Sequence, residues 1–188
     1  MNNFKFLLDE HVNVFNQLHT IFPEINNMCN YGVESINRGG KIIFCGNGGS
    51  AADSQHLAAE FTGRFTKDRK PLASIALTTD TSALTCISND YSFDEVFSRQ
   101  LYALGKKEDL FIGISTSGNS KNIIKAVNAC KEMNIKSACL LGKDGGLLKN
   151  LCDLSIIIPS ESTARIQEAH IFIGHYFCGH IEQKLNLV

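Results

Sequence analysis

Apolar positions recur at three- and four-residue steps through the first forty residues of the chain. Phe4, Leu7, Leu8, Phe15, Leu18 and Phe22, with His11 in line, form one stripe, which predicts an amphipathic helix over residues 3 to about 22. Pro23 breaks or restarts it, because a proline inside a helix removes a hydrogen bond. Ile25, Met28, Cys29, Val33 and Ile36 continue the stripe until Gly39-Gly40 stops it. The result is a helical extension over about 3–38. It offers more apolar surface than one small sheet covers, so part of it is expected to pack against another subunit.

From Lys41 the period changes. Residues 41–44, 72–77, 110–114, 137–141 and 154–158 are short apolar runs rich in β-branched and aromatic side chains, which predict five strands. Helical patterns fall between them: an alanine-rich one from Ser50, the expected N-cap, then Ser82–Ser88, Phe93–Leu104 and Lys121–Met133, with a long last helix from about Thr163 to Leu185. Residues 66–71 read as an exposed, solvated loop. Strands that alternate with helices and are apolar throughout indicate a parallel sheet covered on both faces. The fold class is therefore α/β, a three-layer sandwich with a five-stranded parallel sheet, and 188 residues suit one domain over 1–188. Ligands of such sheets bind beyond the carboxyl ends of the strands. The loops 46–50, 78–81, 115–120 and 142–146 lie at that edge.

Composition narrows the class of partner. The chain is 44% hydrophobic and 20% charged with a net charge of −1, so no global field draws it to nucleic acid or anionic lipid. Its seven cysteines are odd in number and never form C-x-x-C, which points to buried free thiols rather than a disulfide framework or a zinc knuckle. The first residues hold too short an apolar run for a signal peptide, and no stretch approaches transmembrane length. A cytoplasmic location with no membrane partner is expected.

Chemistry concentrates in three places. After the first strand comes Gly46-Asn47-Gly48-Gly49-Ser50, a turn whose backbone N–H groups can approach an anion. It is neither of the dinucleotide nor of the nucleoside-triphosphate pattern. His56 and Glu60 follow four residues apart on the next helix, facing one way about 6 Å apart along the axis. They suit an acid/base pair or two ligands of a divalent metal, while an ordinary solvated pair is the plain alternative. Ser115-Thr116-Ser117-Gly118-Asn119-Ser120 offers four hydroxyls in six residues just before a helix N-terminus, more than capping requires, and suits a phosphate monoester. The last helix carries Arg165, Gln167, Glu168, His170, His175 and His180. Gln167 and His175 differ by about 80° and 12 Å along an ideal helix, so one metal joins both only at full side-chain reach.

Taken together, F-C-G-N-G-G-S-A-A-D-S-Q-H-L-A-A-E-F-T-G-R-F, I-S-N-D, I-S-T-S-G-N-S, L-G-K-D-G-G and A-R-I-Q-E-A-H closely resemble the bacterial phosphoheptose isomerases of the sugar-isomerase (SIS) superfamily. The resemblance covers essentially the whole chain. It implies an SIS-type, flavodoxin-like topology and a cytosolic homotetramer with active sites between subunits. The implied reaction interconverts sedoheptulose 7-phosphate and D-glycero-D-manno-heptose 7-phosphate, towards heptose for surface polysaccharide such as lipopolysaccharide or capsule. It further implies that Asn47, Gly48, Gly49 and Ser50 hold substrate, that Asn89 and Asp90 contact the sugar, and that Ser115, Thr116, Ser117 and Ser120 grip the phosphate. By the same resemblance His56, Glu60, Gln167 and His175 would bind one zinc ion per subunit, Gln167 and Glu60 also meeting substrate, and Glu60 and His175 would be the acid/base pair. Some members carry an acid where this chain has Ala164, and Arg64 matches the family without a settled role. A bacterial replication-initiator-associating protein shares the glycine turn, serine loop and R-I-Q-E segment but is a binding module. It lacks the pair that Glu60 and His175 supply here, which favours the enzyme. A sister isomerase of another ketose or amino-sugar phosphate is the other alternative, which the loops allow and the full constellation argues against.

Overall fold

A computed structural model describes residues 3–188. Met1 and Asn2 lie outside the described residues. The strands β1 (Ile42–Gly46), β2 (Ser74–Ala76), β3 (Leu110–Ser115), β4 (Lys136–Gly142) and β5 (Leu154–Ile158) form one sheet in the order β2-β1-β3-β4-β5. Every pairing is parallel, with Ile43 opposite Ile75 on one side and Phe111 on the other. The strand order reverses direction between β1 and β3, and in sheets of this kind ligands bind at the carboxyl ends beside such a reversal.

Strand residues alternate between two cores. Ile42 and Phe44 of β1 face Met28, Leu57, Phe61 and Phe177, contributed by α2 (Phe22–Asn37), α3 (Gly49–Thr62) and α7 (Thr163–Lys184). Ile43 and Cys45 face Phe97, Ile123 and Val127 from α5 (Val96–Leu104) and α6 (Lys121–Met133), with α4 (Thr81–Asp90) packed at the margin through Leu84 and Ile87. Both faces of β1, β3 and most of β4 are buried, which is why these strands read as unbroken apolar runs.

Several boundaries differ from the sequence reading. The first helix, α1 (Asn3–Gln17), gives way to a 3₁₀ turn at Leu18–Ile21, and Pro23 sits in the first turn of α2, where a missing N–H costs nothing. The strand expected over 72–77 is only the three residues of β2, a sheet edge where one neighbour is missing. Helix α4 runs to Asp90, so Asn89 and Asp90 lie in its last turn rather than beyond it. A 3₁₀ turn at Leu147–Asn150 was not foreseen. All seven cysteines are free, five of them buried, and burial pushes the Cys29 thiol up to about 12. Among the described residues no helix is long and apolar enough to cross a membrane.

Candidate active site

The turn between β1 and α3 is built on Gly48, whose φ of 56° and ψ of −122° exclude ordinary L side chains. Gly48 takes the N-cap place expected of Ser50; Ser50 is instead the second residue of α3, and buried. Gly49 is needed for another reason. A Cβ there would lie 2.7 Å from the side-chain nitrogen of Gln167, so its absence lets α7 bring that amide onto the turn. Asn47 is tied down by Asn122 of α6: each amide nitrogen donates to the other's oxygen, at 3.0 and 2.9 Å. Asn122 also accepts the N–H of Ile123. The pair joins the glycine turn to the helix that follows the serine loop, and sequence reasoning missed Asn122 because nothing local marks it.

In the serine loop, Ser115 Oγ accepts the Gly118 N–H at 3.2 Å and lies 3.0 Å from Ser120 Oγ. Ser117 Oγ accepts the Asn119 N–H. Ser120 occupies the N-cap position of α6 but makes no side-chain cap bond. Its hydroxyl is therefore not spent on the helix, against the plain reading of this loop as a capping motif. Thr116, Ser117 and Ser120 are half-buried at the carboxyl end of β3. The 3₁₀ turn braces the loop from behind, with Leu148 N–H donating to Gly118 O and Leu147 N–H to Asn119 Oδ1.

Helices α3 and α7 bring three ligating side chains together. His56 Nε2 lies 2.9 Å from His175 Nε2 and 3.4 Å from Glu60 Oε1, and the donor atoms of all three fall within 4.8 Å of one another. His56 is half exposed and Glu60 mostly covered. The two facing imidazole nitrogens cannot both carry a proton at 2.9 Å, and two nitrogens with a carboxylate oxygen make a donor set that suits zinc and similar divalent ions. The residues thus fit a metal. Asp53, one turn before His56 on the same face, was overlooked. Burial raises its carboxyl pKa, while the nearby His56 and His175 work in the opposite direction. Phe65 stacks on the His175 ring with centroids 5.6 Å apart and planes at 25°.

The remaining sequence candidates divide. Asn89 and Asp90 are exposed and bond to each other and, through Asp90, to Cys86. Hydrogen bonds from Asn89 and Cys86 hold the Asp90 carboxyl below its usual range. In the R-I-Q-E segment, Ile166 is buried against Gly142, while Arg165 and Glu168 anchor α1 through Leu7 O and His11. Only Gln167 of the four reaches the glycine turn. His170 is buried against Leu141 O, a core residue as expected of at least one histidine. Arg64 is exposed and reaches only Thr66 O, at 3.5 Å. Ala164 is exposed and offers no carboxylate.

A parallel sheet with a strand-order reversal, a glycine turn and a hydroxyl-rich loop at its carboxyl edge define a doubly wound α/β protein. The SIS domain model matches residues 8–142. Phosphoheptose isomerase from Helicobacter pylori (strain P12) is 56% identical over 151 residues, 80% of this chain and 79% of its own length. That from Helicobacter hepaticus is 51% identical over 174 residues, 93% of this chain and 89% of its own. The structure of phosphoheptose isomerase GmhA from Neisseria gonorrhoeae superposes with a TM-score of 0.91 at 43% identity, covering 96% of this chain and 97% of that one. The chain belongs to the SIS-domain family, among the phosphoheptose isomerases.

Proposed function

We propose that this protein is an aldose–ketose isomerase that converts sedoheptulose 7-phosphate into D-glycero-D-manno-heptose 7-phosphate. The observation that carries this reading is the meeting of His56, Glu60 and His175 on two helices that flank a glycine turn, with a hydroxyl-rich loop at the adjoining strand end. The curated relatives named phosphoheptose isomerase support it.

The phosphate sits against Ser115, Thr116, Ser117 and Ser120, near the positive end of α6. Asn47, Gly48, Gly49, Ser50 and Gln167 hold the reacting end of the sugar, and Asn89 and Asp90 contact its hydroxyls. Glu60 takes the proton from C1 of the ketose, and the electrons of that C–H bond form the C1–C2 double bond of an enediol. A proton returns to C2, while the His175 imidazole carries the hydroxyl proton between O1 and O2. His56, Glu60, Gln167 and His175 would hold one zinc ion per subunit. When bound, it supplies positive charge against the oxygen that becomes negative in the enediolate. Glu60 would not hold a metal tightly and act as base in the same instant, so its role as base requires a carboxylate oxygen that is not held by the ion.

The assembly is a homotetramer with active sites between subunits, acting in the cytoplasm and supplying heptose for surface polysaccharide. The apolar side chains left exposed on α1, α2 and α7 support the assembly. The test is an NMR assay of conversion with sedoheptulose 7-phosphate, on protein as purified, metal-stripped and zinc-restored. Formation of the aldoheptose phosphate, lost on stripping and regained with zinc, is the expected outcome. Activity indifferent to stripping would remove the metal from the mechanism. Binding without conversion would replace the isomerase with a binding module.

A further inference from the structure

The loop that reads as solvated in the sequence hides a buried cation. The Arg69 side chain is 2% exposed and that of Glu182 1%. Arg69 Nε donates to Glu182 Oε1 at 2.7 Å. Its terminal nitrogens donate to the carbonyls of Glu60 and Phe61, both at 2.7 Å, and of Gly63 at 3.1 Å. These carbonyls close α3, where no further turn of helix supplies N–H partners. A fixed positive charge therefore sits at the negative end of the helix dipole. The planar guanidinium reaches a carboxylate and several carbonyls at once, which an ammonium cannot match.

Glu182 has a second duty. Its two oxygens accept the N–H groups of Phe65 at 3.0 Å and Thr66 at 3.2 Å. Burial pushes its carboxyl pKa up, but these bonds together with Arg69 outweigh burial and hold it below the usual range. Glu182 also lies seven residues after His175 on α7, two turns along the same stripe. Phe65, whose N–H it holds, is the residue stacked on the His175 ring. One ion pair therefore grips the backbone of Glu60 on α3 and, through Phe65, the packing of His175 on α7.

We propose that Arg69 and Glu182 are positioning residues for the active site. Their ion pair fixes the join between α3 and α7 and the seat of the Phe65 ring, so that His56, Glu60 and His175 meet at one point. Its consequence for zinc rests on the metal reading above; its consequence for the His175 ring does not.

Removing one partner leaves a buried charge uncompensated and endangers the fold. The test therefore uses R69K, which keeps the charge but loses the fork, and R69M/E182M, which removes both charges at similar volume. Folding is checked by circular dichroism. Zinc affinity is measured by calorimetry on stripped protein, and the His175 ring proton by NMR on the metal-free form, with F65L as the reference for a lost aromatic neighbour. Both variants are expected to fold, to bind zinc about 10- to 100-fold more weakly, and to move the His175 resonance towards its F65L position. Folded variants with wild-type zinc affinity and an unmoved resonance would overturn the proposal, and so would loss of the fold in R69K, which would leave the pair a purely stabilising role. If wild-type protein binds no zinc, the metal reading fails and the resonance alone decides: movement supports positioning and no movement refutes it.

Discussion

At the scale of single residues, the site depends on groups whose surroundings decide their chemistry. Glu60 is mostly covered and faces His56. Replacing it with Gln keeps shape and removes the proposed base, so Glu60→Gln should lower kcat about 10²- to 10⁴-fold with an unchanged circular dichroism spectrum. Near-normal turnover would end its role. His170 titrates out of sight of the site. Burial pushes its pKa down to about 4, and the bond to Leu141 O only partly opposes this. The unfolded chain, with a histidine pKa near 6.5, binds this proton before the folded one does. The stability it contributes is full above that pKa and is lost as pH falls from about 6.5 towards 4, by on the order of 3 kcal/mol. Urea unfolding across this window should show the loss, and His170→Asn should flatten it. An equal slope in the variant would assign the acid limb to other groups.

At the scale of elements, the two βα turns work differently. The glycine turn is shaped by backbone conformation at Gly48 and by close approach of Gln167 to Gly49, so side chains add little to its form. The serine loop offers hydroxyls, and its N-cap residue Ser120 makes no side-chain cap bond. Ser117→Ala and Ser120→Ala should each raise KM more than they lower kcat, because the proposed phosphate contacts, far from the reacting carbons, would hold ground and transition states alike. Steady-state kinetics with sedoheptulose 7-phosphate measures this, and a fall in kcat at constant KM would contradict it. The strands were readable in outline because burial on both faces leaves an unbroken apolar run. The edge strand β2 is shorter than its apolar run because only Ser74–Ala76 form ladder pairs with β1, while Ala73 and Leu77 each keep a single backbone bond to it. Segment 66–71 is exposed as the sequence suggests except for the Arg69 side chain, whose burial depends on Glu182, 113 residues away.

At the scale of the whole molecule, the apolar surface is unevenly spent. Phe4 is 69% exposed, Phe6 61% and Phe172 50%, with Leu8, Val12 and Phe22 also open. Phe172 meets Phe15 edge-on, and Tyr176 meets Phe22, so α7 continues an apolar face begun on α1 and α2. A surface of this kind needs a partner, and the proposed tetramer provides it. Light scattering on wild-type protein should give four chains per particle. Leu8→Asp/Phe172→Asp should yield smaller species and lose most turnover, because the proposed tetramer forms its sites between subunits. A monomeric, fully active wild type would sink this reading.

The order of helices and strands, the parallel sheet and the glycine and serine turns were determined by the sequence itself, because each rests on periodicity or on glycine and hydroxyl chemistry within a few residues. Motif resemblance also indicated His56, Glu60, Gln167 and His175. Tertiary structure alone decided that His175 comes within 2.9 Å of His56, that Asn122 pairs with Asn47, and that Arg69 is buried against Glu182. Each of these joins groups more than seventy residues apart. Such contacts follow from how helices pack on the sheet, and a local pattern carries no information about which distant side chain will lie opposite.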